Sequence, residues 1–123
     1  MNVYQCAFDE DVTVIEVVKG DAEYAQADEQ FKLGTHAFTI LGTDVKAMII
    51  DGEWLKEDWV TDDHVQVVHA HEVGHIHNDS SSELEADMTG LELVGAMGSL
   101  SAFSLYCLEI QARYCDTHPG HAV

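Results

Sequence analysis

Two histidines four residues apart, with a glutamate directly after the first, constrain this chain more than any other feature; they stand in the run His71-Glu72-Val73-Gly74-His75. Positions i and i+4 lie on one face of an α-helix, so His71 and His75 can bind a single metal ion. Glu72 then lies beside the open coordination position, where a carboxylate can accept a proton from a metal-bound water. The pattern indicates a helix with the residues of a zinc-dependent hydrolase. The alternative is a helix whose histidines are solvated or satisfied in the core.

The residues around this motif favour a helix from about residue 62 to about residue 77. Thr61 is suited to the N-cap, and Asp62 and Asp63 place negative charge in the first turn. Gly74 is small and would allow a neighbouring element to pack closely.

A second helix is expected after the serine-rich turn Ser80–Ser82. Ser80 with Glu83 has the spacing of a capping box, and Ser82 with Glu85 has it in another register. A catalytic zinc site takes three protein ligands, so a third ligand is expected from this region.

His71-Glu72-x-x-His75 followed by Glu83-x-x-Ala86-Asp87 resembles the HExxH plus ExxAD arrangement of the gluzincin metallopeptidases, in particular the M48 family and the minimal cores of the ImmA/IrrE type. The resemblance implies a small zincin-like domain that binds Zn²⁺ and hydrolyses peptide bonds. It also implies that Glu83 is the third zinc ligand and that Asp87 hydrogen-bonds a ligating histidine. Glu85 is the weaker ligand candidate, because it points roughly the other way. The alternative for Glu83 and Asp87 is an acidic first turn that complements the helix dipole.

A second similarity lies in the run Asp116 to His121, which resembles the Thr-His-Pro loop that follows the ligand helices in M48-like peptidases. The resemblance implies that His118 approaches the site and assists catalysis by stabilising the developing oxyanion. The arginine that usually follows this loop is missing here, and a frayed tail is the alternative.

The expected fold class is α+β in one domain over residues 1–123. We divide it into a sheet-rich part (1–52), metal-binding helices (61–97), a last helix (100–114) and a tail (115–123). The expected strands are Val3–Phe8, Val12–Val18, His36–Leu41 and Val45–Ile50, the first two as a hairpin, with a helix over Asp21–Phe31. Val45–Ile50 is either an edge strand that accepts an extended peptide or a buried central strand.

Composition limits the partners. The chain has 23 acidic and 5 basic residues and a formal net charge of −18, which argues against nucleic acid and anionic membranes as partners. The first residues lack the features of a signal peptide, and no apolar run has membrane-spanning length, so we expect a cytoplasmic protein. The chain has three cysteines, Cys6, Cys107 and Cys115, and their spacing indicates no set of disulfide bonds. Cys107 is expected in the core.

The apolar last helix has more apolar side chains than one narrow stripe requires, namely Phe103, Leu105, Cys107, Leu108 and Ile110. It is therefore either well buried or part of an interface with a protein partner or a second copy of the chain.

The remaining histidines and the two tryptophans carry weaker signals. The remaining histidines of the helix, His69 and His77, fall off the metal-binding face. His36 and His64 have no pairing signal and are expected to be surface or capped residues. Trp54 and Trp59 are expected either to line a cleft or to occupy loop and core positions.

Three functions stay open at this point. The first is a zinc metallopeptidase with Glu72 as general base acting on a peptide or protein substrate. The second is a zinc-binding structural or interaction protein with weak or no turnover. The third is a metal-dependent amidase that acts on a non-peptide bond.

Overall fold

The computed structural model describes residues 1–31, 37–41 and 44–117, and within them the chain has an α+β fold with a four-stranded mixed sheet. The elements are β1 (Asn2–Gln5), β2 (Thr13–Val17), α1 (Ala22–Phe31), β3 (Ala37–Thr39), β4 (Ala47–Asp51), α2 (Gly52–Leu55), α3 (Asp62–Asn78), α4 (Glu83–Ala96) and α5 (Leu100–Thr117). Every predicted strand and helix occurs, with shifted ends.

The strand order in the sheet is β1-β2-β4-β3. The predicted hairpin of β1 and β2 is confirmed as an antiparallel pair, β2 and β4 are parallel, and β3 and β4 are antiparallel. The alternative that Val45–Ile50 is an edge strand is therefore wrong: within the described sheet β4 is interior, and β1 and β3 are the edge strands. The physical reason is burial, since Met48 and Ile50 of β4 are both completely buried in the core.

Helix α3 lies between the sheet and the other two long helices. Towards the sheet, Val73 packs in a core cluster with Val14 and Met48. Towards α4 and α5, Val67 and Ala70 pack in a second cluster, whose other buried members are Val94, Ala102 and Tyr106. The run His71–His75 is thus held in the central element of the described fold.

The ends of α3 and α4 follow their sequence signals. Thr61 caps α3 by accepting a hydrogen bond from the His64 backbone N–H. Helix α3 ends at Asp79, which has a left-handed φ of 44° and begins the reversal into α4. Ser82 caps α4 by accepting from the Glu85 N–H, so the second of the two capping registers is the observed one.

Two features differ from the sequence analysis. The single-turn helix α2 was not predicted; Asp51 caps it by accepting a hydrogen bond from the Glu53 N–H at 2.9 Å. Helix α5 continues to Thr117 instead of ending at 114, because the first helix-breaking residues after it are Pro119 and Gly120. Among the described residues, no helix combines the length and the apolarity needed to cross a membrane.

Candidate metal centre

Helix α3 brings His71 and His75 together on one face. Their Nε2 atoms are 3.1 Å apart and their rings are nearly perpendicular, with an interplanar angle of 86°. Both side chains are buried. Two nitrogens bound tetrahedrally at zinc distances would be about 3.3 Å apart, so the spacing fits a shared ion.

The other nitrogen of each ring has a partner that fixes the tautomer. His71 Nδ1 is 2.7 Å from a carboxylate oxygen of Asp87, and His75 Nδ1 is 2.8 Å from the backbone carbonyl oxygen of Ser80. A carbonyl oxygen and an ionised carboxylate only accept hydrogen bonds, so each neutral ring carries its proton on Nδ1. Both Nε2 atoms then present lone pairs to the same point.

Glu83, in the first turn of α4, approaches this point from the solvent side. One carboxylate oxygen lies 2.9 Å from His71 Nε2, and the other lies 3.4 Å from His75 Nε2. The side chain is 69% exposed. When both rings are neutral, their two Nε2 lone pairs and this carboxylate converge on one point, an arrangement that a cation stabilises.

Glu72 completes the buried group. Ligand atoms of His71, Glu72 and His75 lie within 4.8 Å of one another, and this group could hold a metal ion. The Glu72 carboxylate accepts a hydrogen bond from the Thr39 hydroxyl of β3, which also lies 3.3 Å from the Glu72 backbone carbonyl oxygen. The edge strand thus orients this carboxylate beside the two histidines.

Behind Asp87 stands Tyr106 of α5, which is completely buried. Its hydroxyl lies 3.3 Å from the Ala86 carbonyl oxygen and 3.4 Å from a carboxylate oxygen of Asp87. The sequence analysis missed Tyr106 and Thr39, because each reaches the site from an element distant in sequence. The short strand pattern and the apolar helix pattern carried no sign of these contacts.

A cavity of about 650 Å³ opens beside the centre. Its lining includes Glu72, Glu83, Trp54 and Trp59. Both alternatives for the tryptophans therefore apply: Trp54 belongs to the core cluster, Trp59 lies in an exposed turn, and both line the cavity. The cavity is large enough for a side chain and part of a peptide backbone.

His69 and His77 of α3 face away from the centre. His69 is buried 3.5 Å from the Tyr4 hydroxyl, and burial lowers the pKa of its imidazole despite the opposing effect of Glu16. Burial, followed by the hydrogen bond to Glu16, raises the pKa of Tyr4 well above its usual range. His77 donates to Asp9 at 2.8 Å, and this hydrogen bond lowers the pKa of the Asp9 carboxyl.

Several other predictions concern residues outside the centre. His64 was expected to be a surface or capped residue; it is half-buried and takes part in the N-terminal cap of α3, with its ring nitrogen 3.1 Å from the Thr61 backbone nitrogen. Cys6 is buried, whereas Cys107 is only half-buried and is not part of the core, because it lies towards the outer side of α5. His36 and His118 lie outside the described residues, and so does the Cys115 side chain.

Comparisons of the chain with protein-family models, with curated proteins and with solved structures found no match. The similarity to gluzincins therefore depends on the motif residues and their geometry alone. What is established at this stage is a buried His-Glu-His group, with the spacing of an HExxH motif, that could hold a metal ion.

Proposed function

We propose that this chain is a zinc-dependent metallopeptidase of gluzincin type, in which His71, His75 and Glu83 hold the ion. The observation that carries the proposal is the convergence of the two Nε2 atoms and the Glu83 carboxylate on one point. Nitrogen and oxygen donors in this number are typical of catalytic zinc sites, which keep a fourth position open. When bound, zinc would polarise a carbonyl group and make water more acidic.

The residues of the chain supply the proton transfers. Glu72 lies beside the histidine pair, and Thr39 orients its carboxylate. In hydrolysis a water oxygen forms a bond to the peptide carbonyl carbon while Glu72 accepts the water proton. The C–N bond then breaks, and Glu72 returns that proton to the leaving nitrogen, so the products are a carboxylic acid and an amine.

Two features support a peptide as the substrate. Strand β3 is at the edge of the described sheet, and two of its residues, Ala37 and Phe38, line the cavity. A peptide can extend along such an edge by main-chain hydrogen bonds with little demand on its sequence. Thr39, in the same strand, would place this peptide next to Glu72.

The decisive comparison is between the parent protein and Glu72→Gln on a diverse peptide library, with both proteins at full zinc occupancy. Glutamine keeps the size of the side chain and removes the base. We expect the parent to cleave peptides and the variant to be slower by a factor of about 100 or more. Equal cleavage by both proteins, or none by either, would contradict the peptidase proposal.

A zinc-binding interaction protein is the second candidate, and the surface of α5 favours it. Leu100 and Leu108 of this helix are 77% and 64% exposed and are available to an apolar partner surface. A protein partner or a second copy of the chain would cover them. Sedimentation of the parent beside Leu100→Ser/Leu108→Ser tests self-association, and no difference in mass would argue against the homo-oligomer.

A further inference from the structure

Both tryptophans of the chain lie on one wall of the cavity beside the candidate metal centre. Their ring centroids are 6.2 Å apart, with an interplanar angle of 69°, so they meet edge to face. Trp54 is almost completely buried, whereas Trp59 is 55% exposed. The wall therefore begins in the core and ends at the mouth of the cavity.

Trp59 is held in place although it is exposed. His64 packs edge-on against it on the other side, with centroids 5.4 Å apart and an interplanar angle of 89°. The His64 ring is in turn fixed by its 2.8 Å contact with the Thr61 hydroxyl. A large apolar surface that is oriented before binding favours an apolar ligand, because little side-chain entropy is lost on binding.

The rest of the cavity lining is rich in acidic residues. Glu109 of α5 lines it, as do the acidic residues of the centre, and the described lining residues include no lysine or arginine. Over residues 57–117 the sequence has twelve acidic residues and one basic residue, Arg113. A bound zinc ion would offset part of the negative charge of the centre, and the remaining excess of acidic residues favours cationic ligands.

We propose that the substrate of this centre is a basic peptide segment that carries a bulky apolar side chain, an inference that rests on the proposed peptidase function. The apolar side chain packs against Trp54 and Trp59. A neighbouring lysine or arginine of the peptide lies towards Glu109 and the acidic surface. The wall selects the side chain by size and apolarity, and the acidic residues select the charge of the flanking sequence.

Binding tests this inference separately from turnover. Zinc-loaded Glu72→Gln is titrated by calorimetry with three peptides without tryptophan: a lysine-flanked Phe-Leu peptide, its glutamate-flanked counterpart, and a lysine-flanked Ser-Ala peptide. We expect the first peptide to bind at least about tenfold more tightly than either other peptide at low salt. Its affinity should fall as salt is added, because the attraction is partly screened.

Two variants in the Glu72→Gln background assign the contacts. Trp59→Ala should weaken the lysine-flanked Phe-Leu peptide by about tenfold or more. Glu109→Gln should weaken both lysine-flanked peptides and strengthen the glutamate-flanked one, because the variant removes an attraction to lysine and a repulsion of glutamate. Glu92→Gln, which removes an exposed acid of α4 that does not line the cavity, is the matched control and should change no affinity. Because the chain's only tryptophans are in the wall, a blue shift of their fluorescence reports an occupant there.

Equal affinity for the three peptides, no binding of any, or an unchanged affinity in Trp59→Ala would overturn the inference. The outcomes also separate it from the peptidase proposal. If the Phe-Leu peptide binds as expected and the parent cleaves nothing, the selectivity stands and the peptidase function fails. If the parent cleaves the library without preference for apolar and basic residues, the function stands and this inference fails.

Discussion

At the scale of single residues, the partners of the two histidine rings determine what the centre can bind. Asp87 and the Ser80 carbonyl oxygen accept from the Nδ1 atoms of His71 and His75, respectively, and so leave both Nε2 lone pairs for an ion. Tyr106 approaches the same carboxylate of Asp87 from α5. The carboxylate therefore fixes the orientation of the His71 ring.

Replacing Asp87 by asparagine should reduce zinc affinity by about 10- to 100-fold, because the acceptor remains but its charge is lost. Competition with a chromophoric chelator at fixed pH measures the change. Glu85→Gln is the matched control, since it removes the same charge from an exposed position of the same helix. Equal losses in the two variants would mean that general electrostatic attraction, and not the hydrogen bond to His71, accounts for the effect.

At the scale of elements, the close approach of α3 and α4 brings Glu83 to the histidine pair. A Cβ atom at Gly74 would lie only 2.8 Å from the Ala86 Cα atom, so only glycine fits at this crossing. Asn78 holds the same two helices together, with its amide nitrogen 2.8 Å from both the Gly74 carbonyl oxygen and the Thr89 hydroxyl. The motif's own glycine is thus a packing residue for the site.

Gly74→Ala should lower the free energy of unfolding by about 1–3 kcal/mol through overpacking and should also weaken zinc binding, because α4 must move away with Glu83. Gly95→Ala is the control, since its Cβ would meet the Phe103 ring at an ordinary 3.4 Å. That variant should gain up to about 1 kcal/mol from helix propensity. Denaturant unfolding and chelator competition measure both effects. An unchanged Gly74→Ala protein, or equal destabilisation by both variants, would contradict the packing argument.

At the scale of the whole molecule, local signals predicted much of the fold. The N-cap at Thr61, the turn around Asp79 and the order of strands and helices follow from short stretches of sequence. The neighbours of β4 and the contact of Thr39 with Glu72 could not be predicted in this way. They depend on which distant elements meet, and hydrophobic periodicity does not contain that information.

In the candidate site, too, some residues could be predicted from the sequence and others could not. The spacing of His71, Glu72 and His75 on one helix predicts their proximity, and the structure confirms it. The resemblance to gluzincins pointed to Glu83 and Asp87, and the structure brings both side chains to the histidine pair. Tyr106 could be found only from the packing of α5 against α4.

The central claim is that one metal ion is held by His71, His75 and Glu83, and metal analysis of the purified protein tests it most directly. Protein purified without added zinc is compared with His71→Ala, Glu83→Ala and, as the control, Glu85→Ala. We expect about one equivalent of zinc in the parent and in Glu85→Ala, and a strong loss in the other two variants. Retention of the metal by both His71→Ala and Glu83→Ala at the level of the parent would contradict the claim.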